Sequence, residues 1–143
     1  MDILGAMNIN YSALRAQTTR LNVISSNLAN METTRTPEGG PYLKKSVVFA
    51  TEQSGFAAEL ENSAREMAQG VRVQEIQTDA DSIKDAYEPS HPDANAEGYV
   101  QKPDISLVEQ MTDMMNAKGS YEANVTAIKA AQRMAMKALE IGR

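Results

Sequence analysis

The chain has 143 residues, a net charge of −5 and no cysteine. Lack of cysteine excludes a disulfide framework, a thiolate metal site and a cysteine nucleophile, and the acidic balance argues against a nucleic-acid binder, which needs a basic face. Hydrophobic residues make up 42% and aromatics only 5%, so any core is aliphatic and draws on the 9 methionines, which suit seams that adapt to more than one neighbour.

The first element predicted is a long helix over residues 2–31, a stretch with no proline and a single glycine, Gly5. Met7, Leu14, Leu21 and Leu28 recur every seven residues, and Ile3, Ile24 and Met31 form a companion row whose polar members are Asn10 and Gln17. Ser25, Ser26, Asn27 and Asn30 are weak helix formers whose side chains invite bonds to the backbone. The helix should end at residue 30 or 31, because threonines and then Pro37 follow. Thr36-Pro37-Glu38-Gly39-Gly40-Pro41 is a turn cluster: the prolines fix φ and the paired glycines permit positive φ.

The middle of the chain reads differently. A strand is predicted over residues 42–51, with Val47, Val48 and Phe49 at its centre, and residues 56–69 read as a short helix or a loop. Further strands are predicted at 71–76, 84–88 and 99–102, separated by a turn at 79–82 and a loop at 89–98. Residues 32–104 carry 14 acids against 7 bases.

The last third, residues 105–141, contains no proline and only Gly119 as a glycine. Leu107, Met114, Tyr121, Ile128 and Ala135 fall in one heptad row, and Met111, Val125 and Leu139 in a companion row interrupted by Lys118 and Gln132. Such a helix is on the order of 55 Å long, too long for a chain of this size to wrap in a compact core, so its seam needs a partner. The N-terminal helix is the obvious one. Without a partner, a seam so interrupted should be largely disordered in a dilute monomer. The fold class expected is therefore α+β, mainly α: two long terminal helices paired as a coiled-coil-like stalk (residues 1–31 and 105–143) around a small β-rich module (residues 32–104). Residues 118–143 carry five bases against two acids, which suits the negative end of a helix dipole or a contact with the acidic middle of a neighbouring copy.

Enzyme chemistry finds little support. Glu88, His91 and Asp93 could be imagined around a metal, but Pro89 and Pro92 prevent the helical spacing that would aim them at one ion; His91 reads as a turn residue bonding the local backbone. Asp79, Asp81 and Asp85 fail as a calcium loop, since Ile83 and Lys84 stand where a ligand and a glycine are required. No phosphate-cradling glycine loop and no Gly-x-Ser-x-Gly elbow is present. The sequons at Asn10 and Asn124 lie within predicted helices and read as chance. No cofactor site is expected. The N-terminus lacks a basic region followed by an apolar run, and no window approaches the roughly 20 apolar residues of a membrane span, so neither a cleaved signal peptide nor direct membrane insertion is expected. Two classes survive: an assembly subunit whose helices pack on neighbours, and a small helical adaptor or export chaperone that binds one client helix.

The residues themselves favour the first. Ser26-Asn27-Leu28-Ala29-Asn30, running into Thr33-Thr34-Arg35-Thr36-Pro37-Glu38-Gly39-Gly40-Pro41-Tyr42, resembles the N-terminal signature of the bacterial flagellar axial and rod proteins, and of their proximal rod members in particular. The blocks Tyr87-Glu88-Pro89-Ser90-His91-Pro92-Asp93-Ala94-Asn95-Ala96-Glu97-Gly98-Tyr99-Val100 and Val108-Glu109-Gln110-Met111-Thr112-Asp113-Met114 through Tyr121-Glu122-Ala123-Asn124 are similar to that family as well. Gly119 is a departure that should interrupt the C-terminal helix. The resemblance implies a structural, non-enzymatic subunit that assembles with copies of itself, other flagellar rod proteins and the basal-body base into a hollow helical drive shaft. It also implies a periplasm-spanning rod in the flagellar basal body, and passage through the type III export apparatus without a cleaved signal peptide. The residues it places at subunit interfaces are Met7, Leu14, Leu21, Ile24, Leu28 and Asn30 of the first helix, with Thr36, Pro37, Gly39, Gly40 and Tyr42 of the signature loop. His91 and Asn95 join them from the second block, and Leu107, Met111, Met114, Tyr121, Val125, Ile128 and Leu139 from the last helix.

Overall fold

The computed structural model describes residues 3–52 and 69–141. Its elements run in the order α1 (Ile3–Ala29), β1 (Lys45–Thr51), β2 (Val71–Thr78), β3 (Ile83–Tyr87), β4 (Tyr99–Pro103) and α2 (Leu107–Ile141). Two long helices flank a small β module, as the periodicities require. The expectation for residues 56–69 lies outside the described residues but for Gln69.

Several polar side chains within the helices are satisfied by the helix itself. Asn10, Thr18, Thr19, Thr112, Asn124 and Thr126 each donate to the carbonyl four residues earlier. Asn10 and Asn124 thus spend their amides inside regular helix. Ser106 starts α2: the Gln110 N–H reaches its carbonyl at 3.0 Å, and Glu109 supplies negative charge to the first turn. Gly119 does not break α2, which runs through it without interruption. One glycine costs only about 1 kcal/mol against alanine, and the tertiary contacts on either side outweigh that.

The helices run antiparallel. Asn27 near the end of α1 bonds Gln110 near the start of α2 at 3.0 Å, and Arg20 pairs with Asp113 at 3.2 Å. Their contact surface departs from the expected one. The inward residues of α2 are Gln110, Ala117 and Ala131, all below 5% exposed. With half-buried Asn124 they form the row 110-117-124-131, while Met114, Ile128 and Ala135 supply the other half of the seam. The predicted companion row of Met111, Lys118, Val125, Gln132 and Leu139 is set off by one residue, and most of it faces outward. On α1 the buried positions are Ala16, Val23, Ile24 and Asn27, while Met7, Leu14, Leu21 and Leu28 are half-buried. Alanines and an amide pair thus line the inner row of α2, while the bulky Met111 and Leu139 of the predicted row stay exposed.

The β module forms two antiparallel two-stranded sheets, β1–β2 and β3–β4. In the first, Val48 faces Glu75 and Phe49 faces Val73, so Gln74 is an extra residue and the pairing carries a bulge. Glu52 N–H bonds Gly70 O at 2.8 Å beyond the last paired residues, and Val71 N–H bonds Ser12 Oγ at 3.0 Å, pinning β2 to α1. In the second sheet Tyr87 and Tyr99 face each other, ring centroids 5.2 Å apart, edge to face. Buried Ser82 joins the two sheets: its Oγ accepts from Lys44 N–H and donates to Asp79 O, and its carbonyl accepts from Asp104 N–H. Both faces of a two-stranded sheet cannot be buried by so short a chain, and β1 and β2 rest on α1 for support.

Candidate assembly surface

The junction between helices and sheets is built on one side chain. Asn27 is 1% exposed and fully bonded. Its Nδ2 donates to Lys45 O at 2.8 Å and to Gln110 Oε1 at 3.0 Å, and its Oδ1 accepts from Lys45 N–H at 3.0 Å and Tyr42 OH at 3.1 Å. An amide offers two donors and two acceptor positions, so every one is used. Ser26 adds a 3.2 Å bond to the Tyr42 hydroxyl, and the Lys45 ammonium lies 5.7 Å from the centroid of the same ring. The sequence marked Asn27 as a residue that seeks backbone. The backbone it finds is 18 residues away, where a local reading does not look.

The signature loop folds on itself. Thr36 N–H bonds Gly40 O at 2.9 Å, Gly39 N–H bonds Thr36 O at 3.0 Å, and Gly39 and Gly40 have φ of 93° and 76°. Only glycine takes those angles without strain. Tyr42 N–H closes onto Thr33 O at 3.0 Å. Asn30 anchors the loop to the helix end, donating to Ser26 O and accepting from the Thr33 hydroxyl.

The second block is held by another asparagine. Asn95 Oδ1 accepts from the N–H groups of Glu97 and Tyr99, and His91 Nδ1 accepts from Asp93 N–H at 3.1 Å. His91 is thus the local turn residue that the sequence suggests. Thr34 Oγ1 donates to Asp93 at 2.8 Å, and Lys102 reaches Glu88 at 2.7 Å and Glu32 at 3.3 Å, tying this block to the signature loop. The bond from Lys102 holds the Glu88 carboxyl below its ordinary value, and the same bond raises the Lys102 ammonium. Among the described residues no group of three or more histidine, aspartate or glutamate side chains is placed to hold a metal ion.

The structure divides the expected interface residues into three groups. Ile24 and Tyr42 are buried inside the single chain. Met7, Leu14, Leu21, Leu28, Asn30, Thr36, His91, Met114, Val125 and Ile128 are half-buried. Pro37, Gly39, Gly40, Asn95, Leu107, Met111, Tyr121 and Leu139 are exposed. Two apolar residues outside that set, Val108 and Met115, are 74% and 73% exposed. With Met111, 51% exposed, they share a stripe at spacings of three and four on the outer side of α2. Among the described residues no helix is long and apolar enough to cross a membrane.

The fold is thus an antiparallel helix pair with exposed apolar residues along the outer side of α2 and a loop-rich β module at one end. The family described as flagella basal body rod protein matches residues 7–35, and the family described as flagellar basal body rod FlgEFG protein C-terminal matches residues 96–141. The chain is 43% identical over 150 residues to the flagellar basal-body rod protein FlgC of Bacillus subtilis (strain 168), covering 100% of each. It is 39% identical over 152 residues to the protein so named in Borreliella burgdorferi, covering 99% of this chain and 98% of that one. To the Salmonella typhimurium (strain LT2) FlgC it is 36% identical over 143 residues, covering 100% of each. The chain belongs to the FlgC family of flagellar basal-body rod proteins, a family of structural proteins, not of enzymes.

Proposed function

We propose that this chain builds the wall of the flagellar rod through its helix pair, with outward apolar faces of α1 and α2 buried against neighbouring subunits. The protein is a structural subunit of the flagellar basal body rod. Its neighbours are copies of itself, other rod proteins and the basal-body base, stacked as a hollow helical drive shaft that spans the periplasm. Residues 1–31 and 105–143 are the assembly segments, and residues 32–104 form the module between them. The chain reaches its site through the type III export apparatus as an unfolded polypeptide without a cleaved signal peptide.

The observation that carries this reading is the outward apolar side of α2. Its inner row of Gln110, Ala117 and Ala131 is buried, as are Ala16, Val23, Ile24 and Asn27 of α1, while Val108, Met111, Met115 and Leu139 stand in the open. A stripe of exposed large apolar side chains on one helix face marks a contact surface, and each such side chain buried gains roughly 1.5–3 kcal/mol. A single-client adaptor needs one such face; here outward apolar residues mark both ends of α2 and also α1, at Leu4 and Tyr11.

The test is replacement of the chromosomal gene by one encoding Val108→Asp with Met111→Asp. Neither change touches the Asn27 junction or the alanine seam. The expected result is exported protein, no complete rods in isolated basal bodies and no swimming. Normal rods and normal swimming would overturn the reading.

A further inference from the structure

The two ends of the molecule carry opposite charge. On α2, residues 118–141 hold four bases against two acids. Lys129, Arg133 and Met136 recur at spacings of four and three on one exposed stripe, turned away from the buried Ala131. Lys137 pairs with Glu140, but neither Lys129 nor Arg133 makes an ion pair with a described residue. Extending the antiparallel register of Asn27 and Gln110 places Ile3 opposite about residue 134, so the last turns of α2 outrun the described part of α1.

At the other end lies an open hollow of about 590 Å³ between the signature loop and the β3–β4 sheet. Asp85, Asp93 and Glu97 line it together with Thr34, Asn95 and Gln101, and no lysine or arginine does. The basic stripe cannot reach this hollow within one chain: Lys129 stands 22 residues beyond the start of α2, roughly 33 Å along the helix.

We infer that the Lys129–Arg133–Met136 stripe of one copy docks at the acid-lined hollow of the next, a head-to-tail contact of opposite charges. The inference rests on the rod-subunit reading above and names one of its contacts. Because the two surfaces differ and sit at opposite ends, the contact is heterologous and propagates from copy to copy. Charge complementarity selects the partner and the register, and Met136, 59% exposed, gives the stripe apolar area to bury.

Sedimentation of the full chain tests this with two double variants, Lys129→Glu with Arg133→Glu, and Asp85→Lys with Glu97→Lys. None of the four side chains makes a hydrogen bond or ion pair with a described residue, so circular dichroism should show both variants folded as the parent is. The parent should self-associate, and raising salt from about 50 to about 500 mM should weaken association roughly tenfold. Each variant alone should lose association by at least about tenfold, because its two ends now carry the same sign. An equimolar mixture should recover it, since each reversed end meets a reversed partner. A parent that stays monomeric, variants that associate like the parent, or a mixture that does not recover would overturn the contact. Failure of this contact leaves the rod-subunit reading standing, since the Val108 and Met111 test above addresses that reading separately.

Discussion

Asn27 and Lys45 are joined by two hydrogen bonds in which a side-chain amide takes the place of a neighbouring strand. The amide donates to the Lys45 carbonyl and accepts from the Lys45 N–H, at 2.8 and 3.0 Å. The remaining donor goes to Gln110 on α2 and the remaining acceptor to Tyr42. Four segments thus meet at one buried group, and docking of α2 is coupled to docking of the sheet.

Removing that group should loosen all four. Asn27→Ala should cost about 2–4 kcal/mol in chemical denaturation, because the Lys45 backbone groups and the Gln110 amide lose buried partners. Tyr42→Phe removes one hydroxyl and should cost about 1 kcal/mol. A loss below about 0.5 kcal/mol for Asn27→Ala would show that the junction is not held there.

Two glycines should respond in opposite directions. Gly98 has φ of 84°, and a Cβ there would lie 3.0 Å from the Tyr87 ring and 3.2 Å from Pro89. Gly98→Ala should therefore cost about 2 kcal/mol or more. A Cβ on Gly119 meets nothing within 4 Å in regular helix. Gly119→Ala should raise the stability of the free chain by about 0.5–1 kcal/mol. Thermal melts of the two variants check both signs.

The Glu88–Lys102 pair predicts a pH profile. Glu88 titrates below its ordinary 4.5 when folded, so its contribution is complete above that pH and is lost as pH falls through the lower folded value. Lys102 titrates above its ordinary 10.5, so its contribution is complete below that pH and is lost as pH rises through the higher folded value. Stability should hold between these limits, other groups aside. Glu88→Gln should flatten part of the decline on the acid side, measured as melting temperature against pH.

The helices, the strands and the turn glycines were legible because each rests on a local rule: heptad spacing, alternation, or positive φ. Strand β1 begins at Lys45, three residues later than the pattern at 42–51 suggests, because Tyr42 is turned inward to meet Asn27. The inner face of α2 was half legible. Met114, Ile128 and Ala135 lie where the heptad puts them, yet the companion row is 110-117-124-131 and not 111-118-125-132-139. A pattern weighted by hydrophobicity prefers Met111 and Leu139 to Gln110 and Ala117. Close packing prefers small residues, and Asn27 of α1 makes a glutamine welcome inside. The exposed stripe of Val108 and Met115 was hidden for the same reason, since a bulky apolar side chain on a helix reads first as core.

The claim that these outward residues meet neighbouring subunits is tested most directly by one thiol. The natural chain has no cysteine, so Met115→Cys introduces a unique reactive group at a position 73% exposed in the free chain. Maleimide labelling is measured on the dilute purified chain and on isolated basal bodies from cells making the same variant. Rapid labelling of the free chain and strong protection in the rod is the result expected. Equal, rapid labelling in both would place Met115 on an open surface of the assembled rod and contradict the account.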